Sequence, residues 1–254
     1  MKSATAVLSF ITIALGYGLP AAADTPAFDR PGIAFATDIV PRAAFSLEQG
    51  LPDFTRSDDG DVEATSYSAG TNIRLGLLDG VELQLATALF NQLQVNAAGN
   101  SQTLRGQGDT RLGLKVALPS SSATFSWATL GSITFDTGDE AFSNNAEQYD
   151  LGVALSVDLA NEFTAGFYVN ATNLAGENSV AVSPSLSFAL TDTLGAYVEA
   201  GYFSNASAPN SSVAGAGLTW MATPTVQLDA SANFGLNAQS SDVTGGLGVS
   251  IYFQ

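Results

Sequence analysis

The sequence has no cysteine and no histidine. Without cysteine there is no disulfide framework, no thiolate zinc site and no thiol nucleophile. Without histidine there is no Ser-His-Asp triad and no imidazole metal ligand. Positive charge is also scarce: 8 Lys and Arg stand against 24 Asp and Glu, a net charge of −16. An acidic chain repels phosphate backbones, so nucleic acid is excluded as an expected partner. Charged residues make up only 13% of the chain, against about 25% in an ordinary soluble domain. No apolar run reaches the roughly 20 residues that a membrane-spanning helix needs.

The longest apolar run lies at the start. Lys2 precedes Ala4 to Leu19, and Pro20-Ala21-Ala22-Ala23 follows with a helix break and small residues. This pattern predicts a secretory signal peptide over residues 1–23 and an exported protein. The remaining basic residues all lie between Arg30 and Lys115. From Val116 to Gln254 there is no Lys or Arg, although 12 acids occur there. Residues 24–41 contain Pro26, Pro31 and Pro41. Proline cannot donate to a sheet ladder, so this segment is expected at the periplasmic mouth or inside the lumen as a partial plug, with the barrel at 42–254.

The rest of the chain alternates with a period of 2. Leu112, Leu114, Val116 and Leu118 alternate with Arg111, Gly113, Lys115 and Ala117, and Tyr149 to Val157 does the same. Many runs reach nine or more residues, longer than the usual five or six of soluble strands and matched to a tilted strand crossing a bilayer. The runs predict an all-β fold: a closed antiparallel transmembrane β-barrel of about twelve strands in an up-and-down meander. The segments fall near 42–53, 64–77, 81–95, 107–118, 123–136, 146–158, 163–174, 179–190, 194–205, 211–222, 226–238 and 242–254. Tight turns at 78–80, 120–122, 160–162, 191–193 and 223–225 alternate with longer polar loops at 55–63, 97–106, 137–146 and 204–211. A secreted sandwich would carry a charged outer face, whereas the polar face here is mostly Gly, Ala, Ser, Thr and Asn. The final strand ends in Ile251-Tyr252-Phe253-Gln254, which resembles the signal read by the barrel-assembly machinery, with the aromatic one place early.

Four stretches occur in a telling order: Asp29-Arg30-Pro31-Gly32, Phe45-Ser46-Leu47-Glu48-Gln49-Gly50, Arg74 to Leu83 around Asp79-Gly80, and Gly108-Asp109-Thr110-Arg111-Leu112-Gly113-Leu114-Lys115. This order resembles the outer-membrane transporters named for the meta-pathway of phenol degradation, best over residues 27–120. The resemblance implies movement of small, aromatic or hydrophobic molecules across the bacterial outer membrane.

With the apolar face toward lipid, Glu48, Arg74, Glu82, Arg111, Lys115, Asp150, Glu199 and Asp229 point into the lumen. A charge on the lipid face costs about 2–4 kcal/mol at mid-depth. Tyr168, Tyr197 and Tyr252 share the inner face. These residues, Tyr252 apart, are the candidate pore-lining and solute-contacting set, with Arg74, Glu82, Arg111 and Lys115 expected to set the narrowest constriction. Inward glycines such as Gly76, Gly113, Gly152, Gly217 and Gly248 are expected to leave the lumen open. The acidic loops at 58–63 and 136–140 lack the spacing of a twelve-residue calcium loop. Asn205-Ala206-Ser207 fits a glycosylation acceptor by letters alone. No catalytic residue, metal site or cofactor is expected. The functional expectation is a passive channel for a small-molecule solute. Its partners would be outer-membrane lipid, lipopolysaccharide and the assembly machinery. A structural or surface-interaction barrel with a sealed lumen is the alternative.

Overall fold

The computed structural model describes residues 25–159, 163–205 and 208–254. The signal peptide, the 160–162 turn and the Asn205-Ala206-Ser207 letters therefore fall wholly or partly outside the described residues.

Fourteen ladder segments build the wall: β1 (Phe45–Gly50), β2 (Asp53–Asp58), β3 (Val62–Leu78), β4 (Val81–Ala97), β5 (Asn100–Gly106), β6 (Thr110–Ala117), β7 (Phe125–Phe135), β8 (Gln148–Asp158), β9 (Phe163–Leu174), β10 (Glu177–Ala189), β11 (Leu194–Ser204), β12 (Ser211–Thr223), β13 (Val226–Gly235) and β14 (Val243–Phe253). They amount to twelve staves. β1 and β2 both pair with β3 on one side and β14 on the other, so they are one stave broken at Leu51-Pro52. β5 and β6 both pair with β4 and form a second stave broken at 107–109. Every pairing is antiparallel, and β14 closes onto β1 with Phe253 opposite Phe45. The two rings stack at 4.4 Å and 11°. A closed ring leaves no unpaired edge, which a sheet in lipid requires.

Alternation sorts the two faces. Leu151, Leu218, Trp220, Phe234 and Leu247 point outward, each about half or more exposed, while the chain neighbours Gly152, Gly217 and Gly248 are buried on the inside. An outward apolar belt of this kind is stable only against hydrocarbon.

Two of the expected loops are corrected. Residues 97–106 are not a loop, because β4 and β5 extend as a hairpin through Ala98-Gly99, both at positive φ of 48° and 79°. Ala175-Gly176, at 52° and 87°, makes the same two-residue turn between β9 and β10; two positive-φ residues match the twist of the flanking strands. Residues 55–63 are likewise mostly strand, turning only at 59–61. At 17 residues each, β3 and β4 exceed the 9–11 residues that span a bilayer, so this hairpin rises beyond the membrane on the long-loop side. The 136–147 connection is a true loop. It folds onto the 107–109 break, where Asp109 accepts backbone N–H bonds from Thr137, Gly138 and Asn144 at 3.1, 2.9 and 2.8 Å.

Residues 25–44 form no strand. They enter at the short-turn end, where Thr25 donates to the Pro224 carbonyl at 2.6 Å, pass through the lumen and return to the same end, where Ala43 N–H donates to Gly76. Phe28, Val40 and Ala44 pack with Tyr252 in one buried cluster, and Phe35 packs with Ala128, Leu130 and Ala154 in another.

Candidate functional site

The expectation that inward glycines keep the lumen open is corrected by this inner segment, which occupies much of the space they vacate. A Cβ on Gly76 would strike the Pro41 carbonyl, one on Gly152 would meet the Phe35 ring at 2.9 Å, and one on Gly248 would run into the Arg30 guanidinium. The small-residue wall is a seat for the segment as well as free space.

Charge holds it there. Arg74 on β3 and Glu82 on β4 flank the Asp79-Gly80 turn, and alternation turns both inward. Arg74 Nε donates to Glu82 at 2.8 Å, one terminal nitrogen donates to Glu48 at 3.0 Å and to the Ala27 carbonyl at 2.9 Å, and the other reaches the Asp38 carbonyl at 2.9 Å. Lys115, opposite Glu82 in the β4–β6 ladder, contacts Glu82 at 3.4 Å and Asp29 at 2.9 Å. Gln84 bridges the Asp29 and Glu82 carboxylates at 2.8 Å each. The backbone of the segment joins in: Asp29 and Arg30 N–H donate to Glu48, and Val40 N–H donates to Glu82 at 2.7 Å. Arg74, Lys115, Glu48, Glu82 and Gln84 are fully buried. Burial alone would raise the Asp29 carboxyl, but Lys115 and Arg74 beside it hold it down at about 2.

Four of the ten candidate residues, Glu48, Arg74, Glu82 and Lys115, thus meet in one network. The others do not join it. Asp229 accepts from Arg30 at 3.2 Å, and Arg30 also makes a two-pronged pair with Asp53 at 2.9 Å. Burial lowers the affinity of the Arg30 guanidinium for its proton, but these two carboxylates raise it further. Glu199 accepts the Ile33 N–H at 2.9 Å. Tyr168 meets Phe35 edge-on at 5.4 Å, and Tyr197 is packed over Gly217. Arg111 stands apart from Arg74, Glu82 and Lys115, correcting the expected four-charge constriction: it lies four residues from Lys115 along β6, toward the long-loop end, and is in no ion pair among the described residues. Sequence reasoning passed over Asp29, Arg30, Phe35, Gln84 and Asp53. The Asp-Arg pair inside a proline-broken apolar stretch was the available signal, since bare charges there need partners.

Space remains on both sides of the segment. A cavity of about 600 Å³ opens between its lower face and the wall of β8–β12. Beyond it, two cavities of about 240 and 290 Å³ adjoin at Asn72 and Arg111. Asp29, Gly32, Ala34 and Phe35 line both the large cavity and the 240 Å³ one. Among the described residues no group of three or more Asp or Glu is arranged to hold a metal ion.

A closed twelve-stave barrel with an apolar outer belt and a polar, partly obstructed lumen is a porin-like barrel of the outer-membrane class. The chain belongs to the family described as "Putative MetA-pathway of phenol degradation", whose model matches residues 28–253. Among solved structures it is similar to an outer membrane channel from Pseudomonas putida F1, at 12% identity and a TM-score of 0.71, over 84% of this chain and 96% of that one. The KdgM porin matches at 8% identity and a TM-score of 0.56, over 82% and 99%. The translocator domain of the autotransporter NalP from Neisseria meningitidis matches at 13% and 0.52, over 83% and 88%. At these identities the likeness is one of fold. None of the curated proteins compared matches the chain.

Proposed function

We propose that the protein is an outer-membrane channel for small, aromatic or hydrophobic solutes, exported by its first 23 residues and inserted among lipid and lipopolysaccharide by the barrel-assembly machinery. The observation that carries this reading is that Asp29, Gly32, Ala34 and Phe35, in a stretch without sheet hydrogen bonds, line a cavity on either side. A barrel of about 8 strands is filled by its side chains, whereas 16–18 strands leave a wide channel. Twelve staves lie between, so a short inner segment is enough to decide passage. The wall from β7 to β14 carries acids and no base, which favours cations in any ionic current. Single-channel conductance in planar bilayers tests the proposal. Wild type should pass a small cation-selective current, and deleting residues 31–37, which spares Asp29, Arg30 and Val40, should enlarge it. Silence from both proteins, with no solute entry into liposomes, would overturn it. The fully buried Arg74–Glu82–Lys115 network favours one other reading, a structural barrel with a sealed lumen, and that outcome would select it.

A further inference from the structure

The 240 Å³ cavity above the inner segment collects polar groups that the barrel's own bonding leaves over. Arg111 projects into it from β6 and, among the described basic residues of the lumen, is the one with no ion pair; Arg30, Arg74 and Lys115 all have theirs. Asp150 on β8 lines the same cavity. Its carboxylate accepts only neutral donors, from Gln148 at 2.9 Å, Asn170 at 3.2 Å and Thr172 at 2.5 Å. In the β6–β7–β8 ladders Arg111 is level with Thr134 and Gln148, and Asp150 lies one inward step below. Two strand spacings, roughly 10 Å, separate β6 from β8.

Two buried acceptors face the same space. The Gln84 Nε2 donates to two carboxylates, which sets the orientation of the amide and leaves its Oε1 with no donor. Asn72 Oδ1 is buried and unpartnered as well, and Asn72 lines both upper cavities. A buried acceptor without a donor costs about 1–3 kcal/mol, so these atoms call for a donor-bearing occupant. Phe35 and Tyr168, with ring planes at 80°, supply an aromatic wall.

Resting on the channel reading above, we propose that this cavity is a selective site for a small zwitterion with a flat apolar group, an α-amino acid with an aromatic side chain. Its carboxylate pairs with the Arg111 guanidinium, whose planar fork suits a carboxylate. Its ammonium, with three N–H donors, serves Asp150 and the free oxygens of Gln84 and Asn72. Its ring lies against Phe35 and Tyr168. A simple anion answers Arg111 and leaves Asp150 and both acceptors unmet. A simple cation does the reverse.

Calorimetric titration of the purified full chain in detergent separates these cases with three probes: L-phenylalanine, benzoate and phenethylamine. The proposal expects L-phenylalanine to bind, and each single-charge probe to bind about tenfold or more weakly, the loss of one charge-assisted contact. Arg111→Gln should reduce L-phenylalanine to the level of phenethylamine, and Asp150→Asn to the level of benzoate, in variants shown to be folded by heat-modifiable gel migration. The wild-type comparison needs no variant and stands if either misfolds. Benzoate or phenethylamine binding as tightly as L-phenylalanine, or no binding of L-phenylalanine, would overturn the zwitterion site while a measured conductance keeps the channel. Selective binding by a barrel that is electrically silent and admits no solute would keep the site and overturn the channel.

Discussion

The inner segment meets the two parts of the wall in different ways. Toward β1–β6 it is tied by buried ion pairs: Asp29 to Lys115 and Arg74, the backbone at Asp29 and Arg30 to Glu48, and Val40 to Glu82. Toward β7–β12 it makes, among the described residues, two hydrogen bonds, Thr37 to Ser126 at 2.7 Å and Ile33 to Glu199 at 2.9 Å, packs Phe35 on Ala128, Leu130, Ala154 and Tyr168, and otherwise faces the 600 Å³ cavity. The charge break in the sequence near Lys115 is the origin of this asymmetry. Every basic side chain of the wall lies on β1–β6, so only there can acids of the segment be neutralised. One seam anchors and the other is free to open.

Breaking the anchored seam should have the largest effect. Arg74→Ala strands Asp29, Glu48 and Glu82 around the single charge of Lys115. Removing one partner of a buried pair costs about 3–5 kcal/mol, to be read in urea-induced unfolding in detergent. Arg30→Ala should cost less, since its side chain keeps 18% exposure and that of Asp53 keeps 34%, although Asp229 would be left buried. Equal losses would erase the distinction between the fully buried network around Arg74 and the more exposed Arg30 pairs. Acid tests the same contact from the other side. Because the Asp29 carboxyl is depressed to about 2, its contribution is present above the ordinary carboxylate value near 3.9 and is lost only as pH falls through about 2. Conductance should therefore show no Asp29-linked rise between pH 7 and pH 4, and Asp29→Asn should loosen the segment throughout that range.

A pair of glycines sharpens the comparison at smaller scale. Gly76 lies on the anchored seam, where a Cβ would meet the Pro41 backbone, whereas a Cβ at Gly70, on the same strand, would meet nothing within 4 Å. Gly76→Ala should cost about 1–3 kcal/mol by overpacking and raise conductance by pushing the segment out. Gly70→Ala should stay within about 0.5 kcal/mol. Equal behaviour in the two variants would show that the segment yields freely along this seam.

Much of this architecture was legible because it repeats. A period of 2 tells the inner face from the outer one residue at a time, and neighbouring staves carry Arg74, Glu82 and Lys115 to similar heights. The inner segment was not, because its partners are set by the closed ring and not by local pattern: Arg30 finds Asp229 across 199 residues, and Gln84 finds Asp29 across 55. Glycine adds an ambiguity of its own. It reports that a side chain is missing and leaves open whether water, solute or a return of the same chain takes the space. The turn at Ala98-Gly99 was obscured because Ala is an uncommon choice at positive φ, so the polar run at 97–106 read as loop.

The smallest expected effect concerns the long-loop mouth, where the loop at 136–147 is held to the break in the β5–β6 stave. Burial raises the Asp109 carboxyl, but together the N–H donors of Asn144, Gly138 and Thr137 and the Ser143 hydroxyl draw it below its usual value. A depressed carboxyl contributes above its unfolded pKa and loses that contribution as pH falls through the folded one. The loop should therefore stay fastened at neutral pH and well into mild acid, and release only below the ordinary aspartate range. Asp109→Asn keeps the acceptor oxygen but removes the charge, so it should loosen the loop at every pH. Hydrogen exchange at the Thr137, Gly138 and Asn144 amides, normalised to intrinsic rates, reads the difference without requiring a change in global stability. Because this fastening lies beyond both seams, the conductance change it causes should be smaller than that of Gly76→Ala. A larger one would place the narrowest point of the passage at the mouth and not at the inner segment.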